Sequence, residues 1–239
     1  MNSGVIIKTL GRILIFEAAA LFPSLFISLY SGESDFNGFL LSIVITASIG
    51  GLFLLPKPKK NTINYKEGFA IVAFGWILVS ILGALPFIFA GTFDSFADAF
   101  FETASGFSTT GATVLNDIEV LPKGILFWRS FTHWLGGMGI LVLTLAVLPA
   151  FKTGALQIYK AESPGPTPTK LVPRLGQTAQ LLYGVYILIT VIQVIVLYFA
   201  GMPLFEACVH TFGTVGTGGF SIKNASIGAY NNVVFETII

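Results

Sequence analysis

The sequence has little charge for its length. Asp, Glu, Lys and Arg make up 10% of the 239 residues, while hydrophobic residues make up 54%. Soluble domains carry roughly 25% charged residues and cannot bury so much apolar surface. The composition therefore indicates an integral membrane protein in contact with lipid. A formal net charge of +1 gives no reason to expect a nucleic-acid partner.

Cysteine, histidine and catalytic motifs are also scarce. The single cysteine, Cys208, cannot form an internal disulfide and indicates no redox compartment. The chain has no P-loop, no HExxH motif and no Cys/His metal spacing. Nothing in the pattern places a nucleophile beside either histidine, His133 or His210. The sequence therefore gives no reason to expect an enzyme or a bound cofactor.

Four long segments contain no charge at all, and each is long enough for a transmembrane helix of about 20 residues. They cover residues 36–56, 68–93, 130–151 and 175–205. A fifth apolar segment, 13–30, is interrupted only by Glu17, which we expect to pair with Arg12 or Lys8. The pattern predicts an all-α protein that crosses the membrane several times.

The basic residues predict the orientation of these spans. Ten of the 13 Lys and Arg residues lie before the first span, between the second and third, or after the fourth. The positive-inside rule places those segments, and the N-terminus, in the cytoplasm. The opposite face holds mainly carboxylates, which raise the local concentration of cations: Glu33, Asp35, Asp94, Asp98, Glu102, Asp117, Glu119 and Glu206.

Two other apolar pieces, which come after the charge-free segments 68–93 and 175–205, are too short to cross a membrane. The first predicts a half-helix over residues 95–106 and an extended loop over 108–114. The second, 203–224, aligns with it without gaps at an offset of 108 residues. Irregular backbone at membrane depth is tolerated only inside protein or along a water-filled cavity. We interpret the two pieces as an internal repeat that lines such a cavity.

The loops, "STTGAT" and "GTGGFS", have the chemistry of an ion filter. Rings of backbone carbonyls can replace the hydration shell of K⁺, and glycine allows the required backbone angles. The C-terminal end of each half-helix also attracts a cation. The predicted filter residues are Thr109, Thr110, Gly111, Ala112, Thr113, Thr217, Gly218, Gly219 and Phe220, with K⁺ on the carbonyls of Thr110, Gly111, Gly218 and Gly219. A second register, with "TVGTG" at 214–218 as the filter, remains open.

Three polar residues are candidates for supporting the pore. Arg129, at the predicted outer start of the fourth span, either anchors a filter loop or extends to the lipid headgroups. His210 occupies the position that matches Glu102 in the repeat, and we expect both in the outer scaffold. The "GGMG" at 136–139 predicts either close packing against a half-helix or a hinge.

Several motifs resemble the TrkH/KtrB family of bacterial potassium uptake proteins, most closely its TrkH branch. "SGFSTTGATV" and "VGTGGFSIKNASIG" resemble the first two filters of the family. The segments 128–150 and 157–179 resemble the helix after the first filter and the following cytoplasmic loop. The resemblance extends from about residue 8 to residue 239.

The resemblance implies an N-terminal helix hairpin followed by four helix–pore-helix–filter–helix repeats, as in K⁺ channels. It also implies K⁺ uptake across the bacterial cytoplasmic (inner) membrane, a homodimer, and a cytoplasmic nucleotide-binding regulatory subunit of the TrkA type. Family members that prefer Na⁺ often carry serine where this chain has Gly111. The implied segments are 1–60 (hairpin), 61–152 (first repeat), 153–176 (connector) and 177–239 (second repeat, incomplete).

The main departure from the family pattern is length, because the chain holds one repeat and most of a second. We therefore expect the N-terminal half of a longer protein, which would conduct no K⁺ alone since two loops cannot surround an ion. Two other functions remain open. One is a secondary cation or solute symporter with broken helices around a midplane site, and the other is a membrane scaffold without transport. A Na⁺-permeable member of the same superfamily also remains an alternative.

Overall fold

The computed structural model describes residues 2–56, 65–139 and 175–239, and within them every regular element is a helix. Four apolar helical stretches among these residues are long enough to cross a membrane: Ser3–Ser31, Phe36–Leu54, Lys66–Phe89 and Gln180–Phe199. The prediction of an all-α, multi-pass membrane protein is confirmed. The inner part of the fourth predicted span and almost all of the connector at 153–176 lie outside the described residues.

The N-terminal hairpin comprises α1 (Ser3–Ala20), α2 (Phe22–Ser31) and α3 (Phe36–Leu54). Pro23 lies in the first turn of α2, where a missing amide costs least, so α1 and α2 form one nearly continuous span. Glycines bring α1 and α3 into backbone contact, since a Cβ on Gly11 would lie 2.8 Å from the carbonyl oxygen of Gly50. The first span begins at Ser3, earlier than predicted.

The remaining helices form the two repeats. The first contains α4 (Tyr65–Gly83), a short α5 (Leu85–Phe89), the half-helix α6 (Phe96–Phe107) and α7, which is described over 123–139. The second contains α8 (Leu175–Phe199), the half-helix α9 (Leu204–Val215), a 3₁₀ helix (Ser226–Tyr230) and α10 (Val233–Ile238). Both half-helices have 12 residues, and they are offset by 108 positions, as the alignment predicted.

Helix α7 begins at residue 123, well before the predicted start at 130. Arg129 therefore lies in the second turn of α7 rather than at its outer end, which corrects its predicted place. The start of α7 is capped from the hairpin, because the Lys123 amide donates to Glu33 Oε2 at 2.5 Å. A carboxylate at this end of a helix is stabilised by the free amides there.

The main hydrophobic core joins the hairpin to the first repeat. It includes Leu21, Phe39, Phe87, Phe107 and Trp128, each of which is almost completely buried. The indole of Trp128 also donates a hydrogen bond to the Gly83 carbonyl at 2.9 Å. The core and this bond fix α7 against α4 and α6, so the polar side chains that follow Trp128 point from a rigid helix.

Candidate functional site

The two glycine loops have the same backbone conformation. The Thr110 amide donates to the Ser105 carbonyl at 2.9 Å, and the Gly218 amide donates to the Gly213 carbonyl at 2.8 Å. Each hydrogen bond joins the last turn of a half-helix to the loop that follows it. The alternative register does not match this geometry, because its first residue, Thr214, is still within α9.

Two positions in each loop lie in the left-handed backbone region. Gly111 has φ of 76° and Gly219 has φ of 81°, while Thr109 and Thr217 have φ of 56° and 58°. A β-branched residue at positive φ is a genuine outlier, and such strain persists only where the surrounding structure enforces it. Thr109 and Thr217 are both among the predicted filter residues, but the sequence analysis did not predict their positive φ angles.

The loops meet at their glycines. A Cβ added to Gly111 would lie 1.9 Å from the carbonyl oxygen of Gly218, so any side chain there collides with the second loop. Gly219 has open space around it, with no heavy atom within 4 Å of an added Cβ. Gly111 is therefore required by both packing and backbone angle, and Gly219 by backbone angle alone.

Glu102 holds the C-terminal part of the first loop. Its Oε1 accepts hydrogen bonds from the Thr113 hydroxyl at 2.9 Å and from Nε of Arg129 at 2.5 Å. Its Oε2 accepts from the Val114 amide at 3.1 Å. The Glu102 side chain is fully buried, so these partners replace the water that a carboxylate would otherwise bind.

Arg129 connects the same carboxylate to the second loop. One of its terminal guanidinium nitrogens donates to the Ser221 carbonyl at 2.8 Å, and Cζ lies 3.7 Å from the centre of the Phe220 ring. Arg129 is only 2% exposed. Arg129 therefore makes the carboxylate and carbonyl contacts that one of its two sequence interpretations expects, and its burial does not fit the headgroup interpretation.

His133 also belongs to the site, although the sequence interpretation did not place it there. It lies one turn after Arg129 on α7, and its ring stacks on Phe220 at 4.0 Å. The Phe220 amide is positioned to donate to His133 Nδ1 at 3.4 Å. The four-residue spacing of Arg129 and His133, which puts them on one helix face, was the available signal.

The hydrogen bonds of the described residues join His210 to the 3₁₀ helix, whereas they join Glu102 to the first loop. Its Nε2 lies 3.1 Å from the hydroxyl of Tyr230, which donates to Glu206 Oε2 at 2.5 Å. Burial and the hydrogen bond to Glu206 raise the pKa of Tyr230, so its phenol remains protonated and available as the donor. His210 therefore ties α9 to the 3₁₀ helix, through a tyrosine that the sequence interpretation missed.

Asn224 joins the outer ends of the two loops. Its side chain accepts from the Ile118 amide at 2.8 Å and donates to Asp117 at 2.8 Å. Its own amide donates to Glu119 at 3.2 Å, and Lys223 forms an ion pair with Glu119 at 3.3 Å. Asp117 and Glu119 of the predicted acidic face are therefore occupied by contacts between the two loops.

Helix α7 packs against the ends of both half-helices through glycines. A Cβ on Gly136 would lie 2.1 Å from the Phe107 carbonyl oxygen, and one on Gly137 would lie 3.1 Å from Cα of Gly216. The close-packing interpretation of the "GGMG" motif is confirmed. Helix α7 thus carries the side chains that hold the loops. It also packs against the ends of α6 and α9, where the loops begin.

Replacing Gly136 by alanine is expected to destabilise the protein by about 1–3 kcal/mol, the usual cost of overpacking. The obstacle is a backbone carbonyl at the end of α6, which cannot move without moving the first loop. Gly139→Ala is the matched control, because an added Cβ there meets Trp76 at an ordinary 3.4 Å. Thermal unfolding in detergent measures both variants, and equal melting temperatures would contradict the packing argument.

Comparison with known proteins gives consistent matches. Residues 36–239 match the family model described as "TrkH: Cation transport protein". The Trk system potassium uptake protein TrkH of Salmonella typhimurium is 40% identical over the whole chain and 50% of its own length. The Trk system potassium uptake protein TrkH of Halomonas elongata is 38% identical over 100% of this chain and 50% of its own length.

A solved structure also resembles the chain along its whole length. The crystal structure of the potassium transporter TrkH from Vibrio parahaemolyticus is 31% identical, with a TM-score of 0.85 over 100% of this chain and 48% of that one. The chain spans about half the length of the curated relatives that it matches.

Proposed function

The chain belongs to the TrkH family of cation transport proteins, and on that premise we propose that it forms part of a pore for K⁺ uptake. We place this pore in the bacterial cytoplasmic membrane, with the N-terminus in the cytoplasm. The relatives are potassium uptake proteins by name. The apolar spans support a membrane location.

One observation carries the proposal: two half-helices end at loops of the same backbone conformation, and these loops meet at Gly111 and Gly218. Strained backbone and close-packed glycines are costly features that a simple connector does not need. A loop whose carbonyls bind a dehydrated cation does need them. In this proposal the carbonyls of Thr110, Gly111, Gly218 and Gly219 replace water around K⁺.

The charges around the loops fit a cation pathway. The C-terminal ends of α6 and α9 carry partial negative charge at the start of each loop. The positive charge of Arg129 would repel K⁺, but the carboxylate of Glu102 in direct contact neutralises it. We propose that this pair positions the loops and does not bind the ion.

Two loops cannot surround an ion, so in this proposal the other loops of the ring come from further sequence or further chains. A homodimer and a nucleotide-binding partner of the TrkA type also remain proposals, based on the resemblance. The complete protein in a bacterium that lacks its own K⁺ uptake is therefore the system in which to test the function.

We expect Gly111→Ser and Gly219→Ser to lower the ratio of K⁺ to Na⁺ uptake by roughly tenfold. A side chain at positive φ costs about 1–2 kcal/mol, so the loop should relax away from the geometry that replaces the hydration shell of K⁺. If this relaxation costs the K⁺ complex about 1.4 kcal/mol more than the Na⁺ complex, the relative affinity changes tenfold. Gly111→Ser should also reduce total uptake, because its Cβ collides with the second loop. Gly228→Ser is the control, since Gly228 has open surroundings without positive φ. An unchanged ratio in both filter variants would reject the filter assignment.

A further inference from the structure

Glu17 is a buried carboxyl group that the proposed pore does not use. It lies at the centre of the 29-residue span Ser3–Ser31 and is 3% exposed. Both of its carboxyl oxygens are buried without a hydrogen-bond partner in the described part of the chain. The predicted pairing with Arg12 or Lys8 is therefore wrong, since the two ion pairs among the described residues involve other side chains.

The carboxyl group lies beside the half-helix that leads to the first loop. A Cβ on Gly83 of α4 would be 3.0 Å from Oε1 of Glu17, from Cγ2 of Thr103 and from Cε2 of Phe107. Three elements thus converge around one small residue: α1, α4 and α6. The Gly83 carbonyl is already occupied, because it accepts from the Trp128 indole.

The charged residues of the neighbouring helices do not neutralise the carboxylate of Glu17. The packed helices α2, α3 and α5 contain no ionisable residue except Tyr30 at the outer end of α2. Helix α4 has Lys66 and Glu67 in its first turn, far along the helix from Gly83. Helix α6 has Asp98 and Glu102, of which Glu102 pairs with Arg129 of α7. On α1 itself, Arg12 is exposed and Lys8 lies more than two turns away.

An ionised carboxylate that is buried without a cation or a hydrogen-bond donor from the protein is far less stable than its neutral form. We propose that Glu17 is an intramembrane proton-binding site. Its carboxyl group holds a proton while α1 packs against α4 beside the half-helix α6, and it releases this proton when that packing opens. Proton release and displacement of the half-helix α6 are thereby linked. The inference does not depend on which ion the protein transports.

Infrared spectroscopy of the complete protein in lipid bilayers tests this directly. We expect the band of an un-ionised carboxyl C=O in the wild-type protein at neutral pH, shifted in D₂O and absent from Glu17→Gln. Glu119→Gln is the control and should leave this band unchanged, because Glu119 is exposed and paired with Lys223. A wild-type spectrum without a Glu17-dependent band at neutral pH would overturn the proposal.

A second measurement needs only the wild-type protein, and a third compares its melting curves with those of Glu17→Gln. An apolar carbodiimide adds the O–H of a protonated carboxyl across its C=N bond, and the acyl group then migrates to nitrogen without loss of an atom. Mass spectrometry should find this adduct on Glu17 at neutral pH and progressively less of it in alkaline buffer. Because the packed state keeps a proton that the unfolded chain gives up, the wild type should also lose thermal stability relative to Glu17→Gln as the pH rises. No adduct on Glu17, or parallel melting curves at every pH, would contradict the assignment.

Discussion

Replacing Arg129 by methionine is expected to abolish K⁺ uptake and to destabilise the protein by about 3–5 kcal/mol, the cost of breaking a buried ion pair from one side. Methionine fills similar apolar volume but leaves the Glu102 carboxylate buried without its cation. It also removes the donor to the Ser221 carbonyl. Both loops would then lose their common anchor on α7.

Two comparisons isolate the buried pair. Lys223→Met removes the exposed ion pair of the described residues, whose side chains are 35% and 44% exposed, and should cost at most about 1 kcal/mol. Adding Glu102→Gln to Arg129→Met removes the unpaired charge and should recover part of the stability but not the transport. Uptake is measured in a K⁺-uptake-deficient bacterium and stability by thermal unfolding. Wild-type uptake by Arg129→Met would show that the pair does not position the loops.

Local patterns in the sequence were sufficient to predict the repeat. The residues within each short segment are enough to predict a half-helix of 12 residues and the glycine loop after it. The offset of 108 positions requires only a gapless alignment of the two segments. The spans follow from long charge-free runs for the same reason. What such reasoning cannot supply is the partner of a charge. It placed the start of this span at residue 130 because the charge-free run begins there, whereas Glu102 neutralises Arg129 from 27 residues away and lets the helix begin earlier.

The contacts between the loops were beyond sequence reasoning because they join distant residues. His133 reaches Phe220 across 87 positions, and Asn224 reaches Ile118 across 106. Each side chain taken alone is consistent with ordinary packing or an ordinary loop. Only the fold shows that Arg129 and His133 lie on opposite sides of one aromatic ring, as the short distances of both to Phe220 indicate.

Gly218→Ala should disable the second loop, although it removes none of the backbone carbonyls that are proposed to bind K⁺. The new Cβ would lie 2.1 Å from Nδ1 of His133 and 2.3 Å from two ring carbons. The ring cannot rotate away, because His133 is fully buried and stacked on Phe220. We expect a cost at the upper end of the roughly 1–3 kcal/mol of overpacking, with K⁺ uptake reduced to background.

A second substitution distinguishes this collision from any general intolerance at Gly218. His133→Ala alone leaves a cavity and removes the acceptor for the Phe220 amide, so it should also be destabilising. In the double variant the new methyl group enters the space that the ring has left, and the two effects should combine to less than their sum by about 0.5–3 kcal/mol. Gly228→Ala, in open space, is the control for adding a methyl group. Strictly additive losses, or a Gly218→Ala protein as stable and active as Gly228→Ala, would mean that His133 does not set the position of the second loop.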